Sequence, residues 1–316
     1  QAGNIGMMPI RSAGLNPEFV PQFKPLNGSH MVSLLTNQSA ITALQNLTAT
    51  NRALQSTQTR ISTGLRVQSA SDNAAYWSIS TTMKSDNSAL STVKDTLALG
   101  SAKIDVATAA LTSTKDILND FKAKLVAARE PGVDRAKVQK ELTAMQDQLQ
   151  SIADSAVFSG QNWLSVDSSD AGYNATKSVV GSFTRDSAGA ISISKIGIDV
   201  GSTKLFDSSD QSGILDKDRT SGSATTSIMN IDISSLTDAS GDMTTLEAYV
   251  SIVDAGLSDV ITAASDLGAA KNRVSLQQGF IQKLSDAITT GVGALVDADM
   301  NEESTKLQAL QTQQAL

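Results

Sequence analysis

Apolar side chains recur at alternating intervals of four and three residues through much of the N-terminal half of the chain. Only three of the fourteen positions in this row are not apolar. The row consists of Ile79, Met83, Asp86, Leu90, Val93, Leu97, Gly100, Ile104, Ala107, Leu111, Thr114, Leu118, Phe121 and Leu125. This spacing places all of them on one helical face and predicts one long helix, or two helices joined near Gly100.

The segment "EPGVD", Glu130–Asp134, ends this helical pattern. Pro131 disfavours helix in the residue before it, and Gly132 permits a turn. Asp134 can then cap a second helix. The predicted buried stripe of that helix is Val138, Leu142, Met145, Leu149 and Ile152.

The same periodicity returns near the C-terminus, where apolar residues lie seven apart. They are Leu246, Val253, Val260, Leu267, Val274, Ile281, Ile288 and Leu295. No proline follows Pro131, so we predict a helix over residues 246–310, which would be about 100 Å long. A compact globule of this chain length would have a diameter of only about 50 Å, so the pattern favours an extended rod.

Between about Val166 and Met243 the chain is rich in Ser, Thr, Gly and Asp, and the apolar period changes to two. Residues 177–200 read as strand, "DSAG" turn and strand, and Ser227–Ser234 reads as a further strand. Each helical stripe needs a partner, and the nearest heptad partner for one end is the other end. The predicted fold is mainly α, with a long antiparallel coiled-coil rod formed by both chain ends and a small β-rich domain inserted in the middle.

The predicted rod core collects the apolar positions from all three rod helices. It comprises Ile79, Leu90, Leu97, Ile104, Leu111, Leu118, Leu142, Leu149, Val260, Leu267, Val274, Ile281, Ile288 and Leu295. The predicted domains are a tag remnant (1–30), an N-terminal inner helix and linker (31–71), the N-terminal part of the rod (72–167), the β-rich outer domain (168–243), the C-terminal part of the rod (244–300) and the start of a C-terminal inner helix (301–316).

The outermost helices are only weakly amphipathic. Within residues 31–65 the apolar rows are separated by Asn, Thr, Ser and Gln, so this helix has too little apolar area to dock strongly alone. We expect it to be disordered in the free chain. The "LQALQTQQAL" end is similarly Gln-rich and uncapped, which leads us to expect that the native sequence continues past Leu316.

The amino-acid composition excludes or disfavours several classes of function. The 316 residues carry a formal charge of -7 and no cysteine, which disfavours nucleic-acid binding and excludes disulfides and thiol chemistry. No apolar run is long enough to span a membrane, and no cleavable signal peptide begins the chain. "NGSHM" reads as a vector remnant, so residues 1–30 and His30, the only histidine, are left out of the fold and of any site.

Three further segments have some of the residues of a binding site. "DADMNE", Asp297–Glu302, lacks the Gly and the final Glu of a calcium loop, and "TGVGALVD", Thr290–Asp297, follows no strand and so does not read as a phosphate loop. "DSSDQSGILDKD", Asp207–Asp218, reads as an exposed acidic loop with a weak claim to a cation or a glycan. We therefore predict no catalytic residue, no cofactor and no metal.

Three motifs carry a resemblance to a known family. "RISTGLRVQSASDNAAYWSI", Arg60–Ile79, resembles the N-terminal signature of bacterial flagellins, "VFSGQNWL", Val157–Leu164, resembles a hairpin of that family, and "VDADMNEESTKLQALQTQQAL", Val296–Leu316, resembles its C-terminal signature. Tyr76 and Trp77 stand where many members have small residues, which resembles an α-proteobacterial subgroup.

The resemblance implies a structural subunit that self-assembles into the flagellar filament. It would be extracellular, exported through the flagellum's own channel without a cleaved signal peptide. Its implied partners are further copies of itself, an export chaperone, and cap and hook-junction proteins, with recognition by a host immune receptor left open. The resemblance also implies a set of residues that make contacts between subunits. They are Leu44, Leu47, Leu54, Ile61, Gly64, Leu65, Arg66, Leu307 and Leu310.

Within the first signature, the resemblance implies roles for five positions. Gly64 would free the backbone for a bend, Arg66 would make an inter-subunit polar contact, and Asp72 would cap the rod helix. Tyr76 and Trp77 would pack near the inner end of the rod. The alternative is that Gly64 is only a helix C-cap and Trp77 only a core residue.

Two other functions were weighed against the polymer. The first is a cell-surface adhesin or polysaccharide binder that uses the β-rich insertion, whose margins offer few aromatic platforms. The second is an enzyme, which is the weakest hypothesis because the native chain has no His, no Cys and no recognisable carboxylate pair.

Overall fold

The computed structural model describes residues 37–316. Residues 1–36 lie outside the described part, and with them the predicted tag remnant, His30 and the start of the first helix. The chain divides into two compact units. Within the described residues, one consists of 37–63 with 300–316, and the other of 64–299.

Five α-helices account for most of the described chain. They are α1 (Gln38–Thr63), α2 (Ala74–Ala127), α3 (Arg135–Ser155), α4 (Ser240–Val296) and α5 (Met300–Ala315). Helix α2 is a single helix of 54 residues that runs through Gly100 without a break, so its length is about 81 Å. Helix α3 begins as predicted, because the carboxylate of Asp134 accepts the amide of Lys137 at 3.3 Å.

The prediction of an uninterrupted helix over residues 246–310 was wrong. Helix α4 ends at Val296, and Asp297 adopts an extended backbone with φ -74° and ψ 148°. The amide of Ala298 then donates to the carbonyl of Gly64 at 2.9 Å. The helix stops here, and the chain instead forms a hydrogen bond with a segment that is distant in the sequence. The local heptad pattern does not predict this break.

Helices α2 and α4 pack against each other antiparallel over most of their length. Lys94 bonds Gln282 at 2.5 Å near one end, and Lys271 pairs with Asp105 at 2.5 Å in the middle. Lys122 pairs with Asp254 towards the other end. The exposed hydrogen bond and the two exposed ion pairs contribute little stability. The apolar stripe between the helices stabilises the pair, and the predicted antiparallel arrangement of both chain ends is confirmed.

Eight short strands lie between α3 and α4. They are β1 (Val157–Phe158), β2 (Gln161–Asn162), β3 (Ser165–Val166), β4 (Thr176–Arg185), β5 (Ile191–Asp199), β6 (Phe206–Asp207), β7 (Arg219–Ser221) and β8 (Ala224–Thr226). Three of the four pairs are antiparallel, namely β1–β2, β4–β5 and β7–β8, whereas β3 pairs parallel with β6. The hairpin predicted over residues 177–200 is the β4–β5 pair.

The strand predicted at Ser227–Ser234 was wrong. Residues Ile228–Asn230 form a 3-10 turn, and the rest of the segment is irregular. Side chains of α3 satisfy its backbone instead of a neighbouring strand. The amide of Gln146 donates to the carbonyl of Ile228 at 3.0 Å, and the Gln139 side chain accepts the amide of Ile233 at 2.9 Å. The three isoleucines of the segment are buried, but no β-ladder forms.

The β-rich segment shares one apolar core with the long helices. Residues of α2, α3, β4, the 3-10 turn and α4 belong to the same buried cluster. One close approach is at Gly100 of α2, where an added Cβ would lie 2.6 Å from Val179 Cγ1 of β4. Glycine at this position therefore lets the hairpin lie directly on the helix.

We expect Gly100→Ala to destabilise the chain by about 1–3 kcal/mol, because the overpacking against Val179 outweighs the better helix propensity of alanine. Gly279→Ala is the matched control, since Gly279 is also helical but an added Cβ there meets nothing within 4 Å. The control is expected to stabilise by up to about 1 kcal/mol. Urea unfolding followed by circular dichroism compares the two. Equal midpoints for both variants would contradict the expected contact.

Candidate functional site

Helices α1 and α5 form an antiparallel pair that contains most of the predicted assembly residues. Arg60 Nη1 donates to Glu303 Oε1 at 3.0 Å, and Gln314 donates to Asn51 Oδ1 at 2.8 Å. Glu303 is buried although it is charged. Because a buried ion pair needs its partner, Arg60 and Glu303 fix the register of the two helices.

The leucines of α1 are largely open to solvent. Leu44 is 64% exposed and Leu47 45% exposed, whereas Leu54 and Ile61 are half-buried. On α5, Leu307 and Leu310 are also half-buried. In these two helices the only buried residues are Thr50, Thr57 and Glu303. The helix pair therefore leaves apolar surface uncovered within the single chain.

The segment after α1 runs antiparallel to the end of α4, and we call these two segments the clasp. The clasp consists of residues 64–67 and residues 295–298. The amide of Arg66 donates to the carbonyl of Val296 at 2.7 Å, and the amide of Ala298 donates to that of Gly64 at 2.9 Å. Gly64 has φ 71°, the left-handed conformation that glycine adopts most readily. It follows Thr63 directly and so ends α1 in the manner of a C-cap.

Two more predicted assembly residues, Leu65 and Arg66, take part in this clasp beside Gly64. Leu65 forms an antiparallel bridge with Asp297 and packs beside a small apolar cluster of Val67, Val292 and Val296. The guanidinium of Arg66 donates from Nη2 to the carbonyl of Leu295 at 3.0 Å. Arg66 thus makes an intramolecular polar contact, and the inter-subunit contact that the resemblance implies for it stays a prediction.

The expected cap at Asp72 was wrong. Asn73 caps α2, because its Oδ1 accepts the amide of Tyr76 at 3.0 Å. Asp72 points back into the preceding loop, where its Oδ2 accepts the amides of Gln68 and Ser69, each at 3.0 Å. The carboxylate closes that polar loop, so it is not available to the helix. Both residues are good caps by type, and the sequence alone did not separate them.

Tyr76 and Trp77 stand in the first turn of α2, 41% and 39% exposed. The alternative that Trp77 is simply a core residue was therefore wrong. Ile79 was predicted to be a rod-core residue, but it is 46% exposed. In the register that pairs Lys94 with Gln282, Ile79 lies opposite residue 297, just beyond the end of α4. It has no facing helix to bury it.

The other positions of the predicted rod core are covered within the chain. Ile288 and Leu295 are half-buried. Eleven are buried, namely Leu90, Leu97, Ile104, Leu111, Leu118, Leu142, Leu149, Val260, Leu267, Val274 and Ile281.

The acidic segment Asp207–Asp218 is not simply the exposed loop that was expected. Asp207 is fully buried, and its carboxylate accepts from Lys204 Nζ at 2.5 Å and from the amides of Ser168 and Ser209, each at 3.1 Å. Burial acts to raise the pKa of Asp207, but the Lys204 ammonium and the serine donors outweigh it and hold the pKa well below its ordinary value.

We expect Asp207→Asn to lower the free energy of unfolding by about 1.5–3 kcal/mol at pH 7, because the charged hydrogen bonds are lost. The pKa of Asp207 is lower in the folded than in the unfolded chain, so its stabilisation is complete above the unfolded value of about 3.9 and is lost as the pH falls below it. Urea unfolding should show the gap between the two chains narrowing below about pH 4.

Asp218→Asn, at an exposed carboxylate of the same segment, provides the control for this loss of one negative charge. It should leave the unfolding midpoint nearly unchanged. If the difference in unfolding free energy between the unchanged chain and Asp207→Asn is as large at pH 3 as at pH 7, the lowered pKa of Asp207 would be contradicted.

A metal site or a catalytic site needs several ligating or titratable side chains close together. Among residues 37–316 no three His, Cys, Asp or Glu side chains come together as a metal site. Gly291 and Gly293 lie inside α4, which continues to Val296, so this segment is not a phosphate-binding loop. No helix in the described part of the chain combines the length and the apolar character that crossing a membrane requires.

A long antiparallel helix pair, together with a second helix pair that leaves Leu44 and Leu47 exposed, is typical of a structural protein that self-associates by helix packing. Comparison with known proteins gives the family. The model of the bacterial flagellin N-terminal helical region matches residues 34–168, and that of the C-terminal helical region matches residues 250–316. The chain belongs to the bacterial flagellin family.

Individual relatives agree over nearly the whole chain. Flagellin A of Rhizobium meliloti is 41% identical over 90% of this chain and 95% of that protein. Flagellin C of Rhizobium meliloti (strain 1021) is 45% identical over 90% of this chain and 94% of that protein. The flagellin of Brucella melitensis is 41% identical over 90% of this chain and 93% of that protein. The predicted resemblance to α-proteobacterial flagellins is confirmed, and the chain is a structural subunit of the flagellar filament.

Proposed function

We propose that the α1–α5 helix pair is the inter-subunit surface of this filament. The observation that carries the proposal is the exposure of Leu44 and Leu47 on a helix pair that buries almost nothing of its own. Burying one leucine side chain is worth about 1.5–3 kcal/mol, so neighbouring copies of the chain supply what the single chain lacks. Leu54, Ile61, Leu307 and Leu310 complete this surface.

Energetics make assembly conditional on both ends of the chain. Ordering a residue costs roughly 1–2 kcal/mol, and a helix pair with little buried apolar area cannot offset that cost alone. Contact with further copies offsets it, so these helices become stable as the polymer grows. Heterologous contacts of this kind that do not close into a ring generate an open helical filament.

Family membership supports the finer parts of the proposal. The subunit leaves the cell without a cleaved signal peptide and is met by an export chaperone, by the cap and by hook-junction proteins. A host immune receptor is a further proposed partner. The subunit acts by packing, with no catalytic step.

The test replaces the exposed leucines with a polar residue of good helix propensity. Leu44→Gln with Leu47→Gln should reduce elongation of sheared filament seeds at least about tenfold, because each change removes roughly 1.5–3 kcal/mol of burial per subunit added. Filament length in negative-stain electron micrographs is the measurement. The control is Thr42→Gln with Thr48→Gln, which exchanges polar residues at exposed positions of the same helix. Elongation that is the same for both double variants would contradict the proposal.

A further inference from the structure

The clasp lies where both terminal helices join the rest of the chain. Helix α1 ends at Thr63, the residue before the clasp, and α5 begins at Met300, two positions after it. The first clasp segment, residues 64–67, leads through a short loop to α2, and the second, residues 295–298, contains the end of α4. The distance between these two segments therefore sets how far apart α1 and α5 start.

Backbone hydrogen bonds hold the two segments together. The carbonyl of Val296 accepts the amide of Arg66 at 2.7 Å and that of Val67 at 3.2 Å. The amide of Ala298 donates to the carbonyl of Gly64 at 2.9 Å. The bridge between the segments is antiparallel, and facing Cα atoms in such a pair lie about 4.5–5.5 Å apart. The residues from which α1 and α5 leave are thus close neighbours.

A small apolar core of its own adds to these hydrogen bonds. Val67 of the first segment and Val296 of the second are buried together with Val292, in a cluster that is distinct from the large core. Leu65 and Met83 are partly buried and pack against this cluster. Because side chains from both segments are removed from water, the clasp is stable in its closed form within a single chain.

Opening the clasp would give both terminal helices a flexible connection. The loop after the clasp stays fixed by Asp72, whose carboxylate accepts the amides of Gln68 and Ser69. The released residues are therefore 64–67 on one side and 297–299 on the other. A flexible chain of that combined length has a root-mean-square extent of roughly 13–16 Å.

This difference in separation changes the effective concentration of one helix at the other. Effective concentration falls roughly as the −3/2 power of linker length, which is the third power of the distance that the linker spans. Going from about 5 Å between facing segments to about 13–16 Å lowers it at least about tenfold.

We propose that the clasp is a preorganising element for assembly. It starts α1 and α5 side by side, so that the two helices pair within one chain before a further copy arrives. The pair depends on this because its buried residues are polar, namely Thr50, Thr57 and Glu303, and supply little hydrophobic stabilisation. The pairing itself does not depend on the function proposed above, whereas its consequence for filament growth rests on that function.

The experiment uses the absence of cysteine from the chain. Asn51→Cys with Gln314→Cys introduces the only two thiols, at positions whose side chains are hydrogen-bonded across the α1–α5 pair. A short bis-maleimide joins these thiols within one chain only when the helices are paired. The rate of this intramolecular cross-linking in dilute full-length protein, followed by gel mobility, measures the effective concentration of α1 at α5.

Ala298→Pro in this background should slow the cross-linking at least about tenfold, because it removes the amide that donates to Gly64. Proline fits locally, since Asp297 already has φ -74° and ψ 148°, the extended conformation that proline favours in the residue before it. Ala298→Ser is the matched control, because it keeps the amide, and its cross-linking rate should be unchanged.

A second variant opens the clasp from the other segment. Val67→Ser removes an apolar side chain from the small cluster and should also slow cross-linking. Thermal melting should remain cooperative in both variants, because the large core is untouched. Should one variant fail to fold, the other decides. Cross-linking as fast in the folded variants as in the Ala298→Ser control would overturn the proposal.

Elongation of filament seeds, measured without the added cysteines, separates this proposal from the function proposed above. Ala298→Pro should slow both cross-linking and elongation, whereas Leu44→Gln with Leu47→Gln should slow elongation and leave cross-linking unchanged. Normal elongation by the double leucine variant, with cross-linking slowed in Ala298→Pro, would contradict the proposed assembly surface and support the clasp. Elongation lost in Ala298→Pro while cross-linking stays fast would overturn the preorganising role of the clasp.

Discussion

A chain that lacks residues 31–63 is expected to stay folded over residues 64–299 and to lose all elongation of filament seeds. The deletion removes α1 and the preceding residues, and it leaves the unit of residues 64–299 intact. The clasp survives, because its residues begin at Gly64. The large apolar core lies entirely in the unit that remains.

Two measurements on the deleted chain separate folding from assembly. Circular dichroism should show a cooperative melt with the helix signal reduced in proportion to the residues removed, because α2 and α4 keep their partners. Electron microscopy should show seeds that do not lengthen, because α5 has lost its antiparallel partner and the exposed leucines of α1 are gone. The Leu44→Gln and Leu47→Gln chain provides the intermediate case, with the helix retained and the apolar surface reduced.

Loss of nearly the whole helix signal on this deletion would show that α1 is part of the folding core. Seeds that still lengthen would show that the filament contacts lie within residues 64–299. Either result would contradict the proposed division between a folded body and an assembly surface.

Ile281→Asp is expected to destabilise the chain by about 2–5 kcal/mol or more, the range of large core lesions. Ile281 is 1% exposed in the stripe between α4 and α2, so the aspartate would place a polar or charged group in the apolar core. The carboxyl would have to remain protonated or draw in water, and the pairing of the long helices would weaken around it. Thermal melting at 222 nm should show a midpoint lowered by several degrees.

A matched control is available on the same helix. Ile261→Asp makes the same chemical change in α4, but Ile261 is 47% exposed. It should move the midpoint far less, because the new carboxylate stays hydrated and only a modest loss of helix propensity remains. If both substitutions lower the midpoint equally, the effect belongs to the added charge and not to burial in the rod core.

The exposed surface of the α1–α5 pair and the buried surface of the long helices have the same spacing of apolar residues. Both carry apolar residues at intervals of three and four, and they differ in density. In α2 the stripe is nearly unbroken, so one partner within the chain covers it. In α1 polar residues separate the leucines, and the single chain leaves Leu44 and Leu47 exposed. The density of apolar residues therefore distinguishes two kinds of helix. One kind buries its apolar face within a single chain, and the other buries it only against further copies in the polymer.

Several structural outcomes depended on information that no local window contains. Helix α4 ends at Val296 because the next residues bond the chain near Gly64, more than two hundred residues away. Ser227–Ser234 alternates like a strand, but Gln139 and Gln146 of α3 take its backbone hydrogen bonds. Asp72 and Asn73 are equally good caps by type, and only the loop that bonds Asp72 decides between them.

By itself, the sequence determined the mainly helical fold, the antiparallel pairing of its two ends, the β4–β5 hairpin, the cap at Asp134 and the family. These features depend on apolar periodicity, on the residues of turns and caps, and on short sequence motifs. Each of these signals can be detected in a short stretch of the chain. The tertiary structure alone decided the burial of Asp207, the exposure of Ile79 and the clasp. Each of these results from two or more segments that are distant in the chain and meet in space, so their energies depend on contacts that a linear pattern does not record.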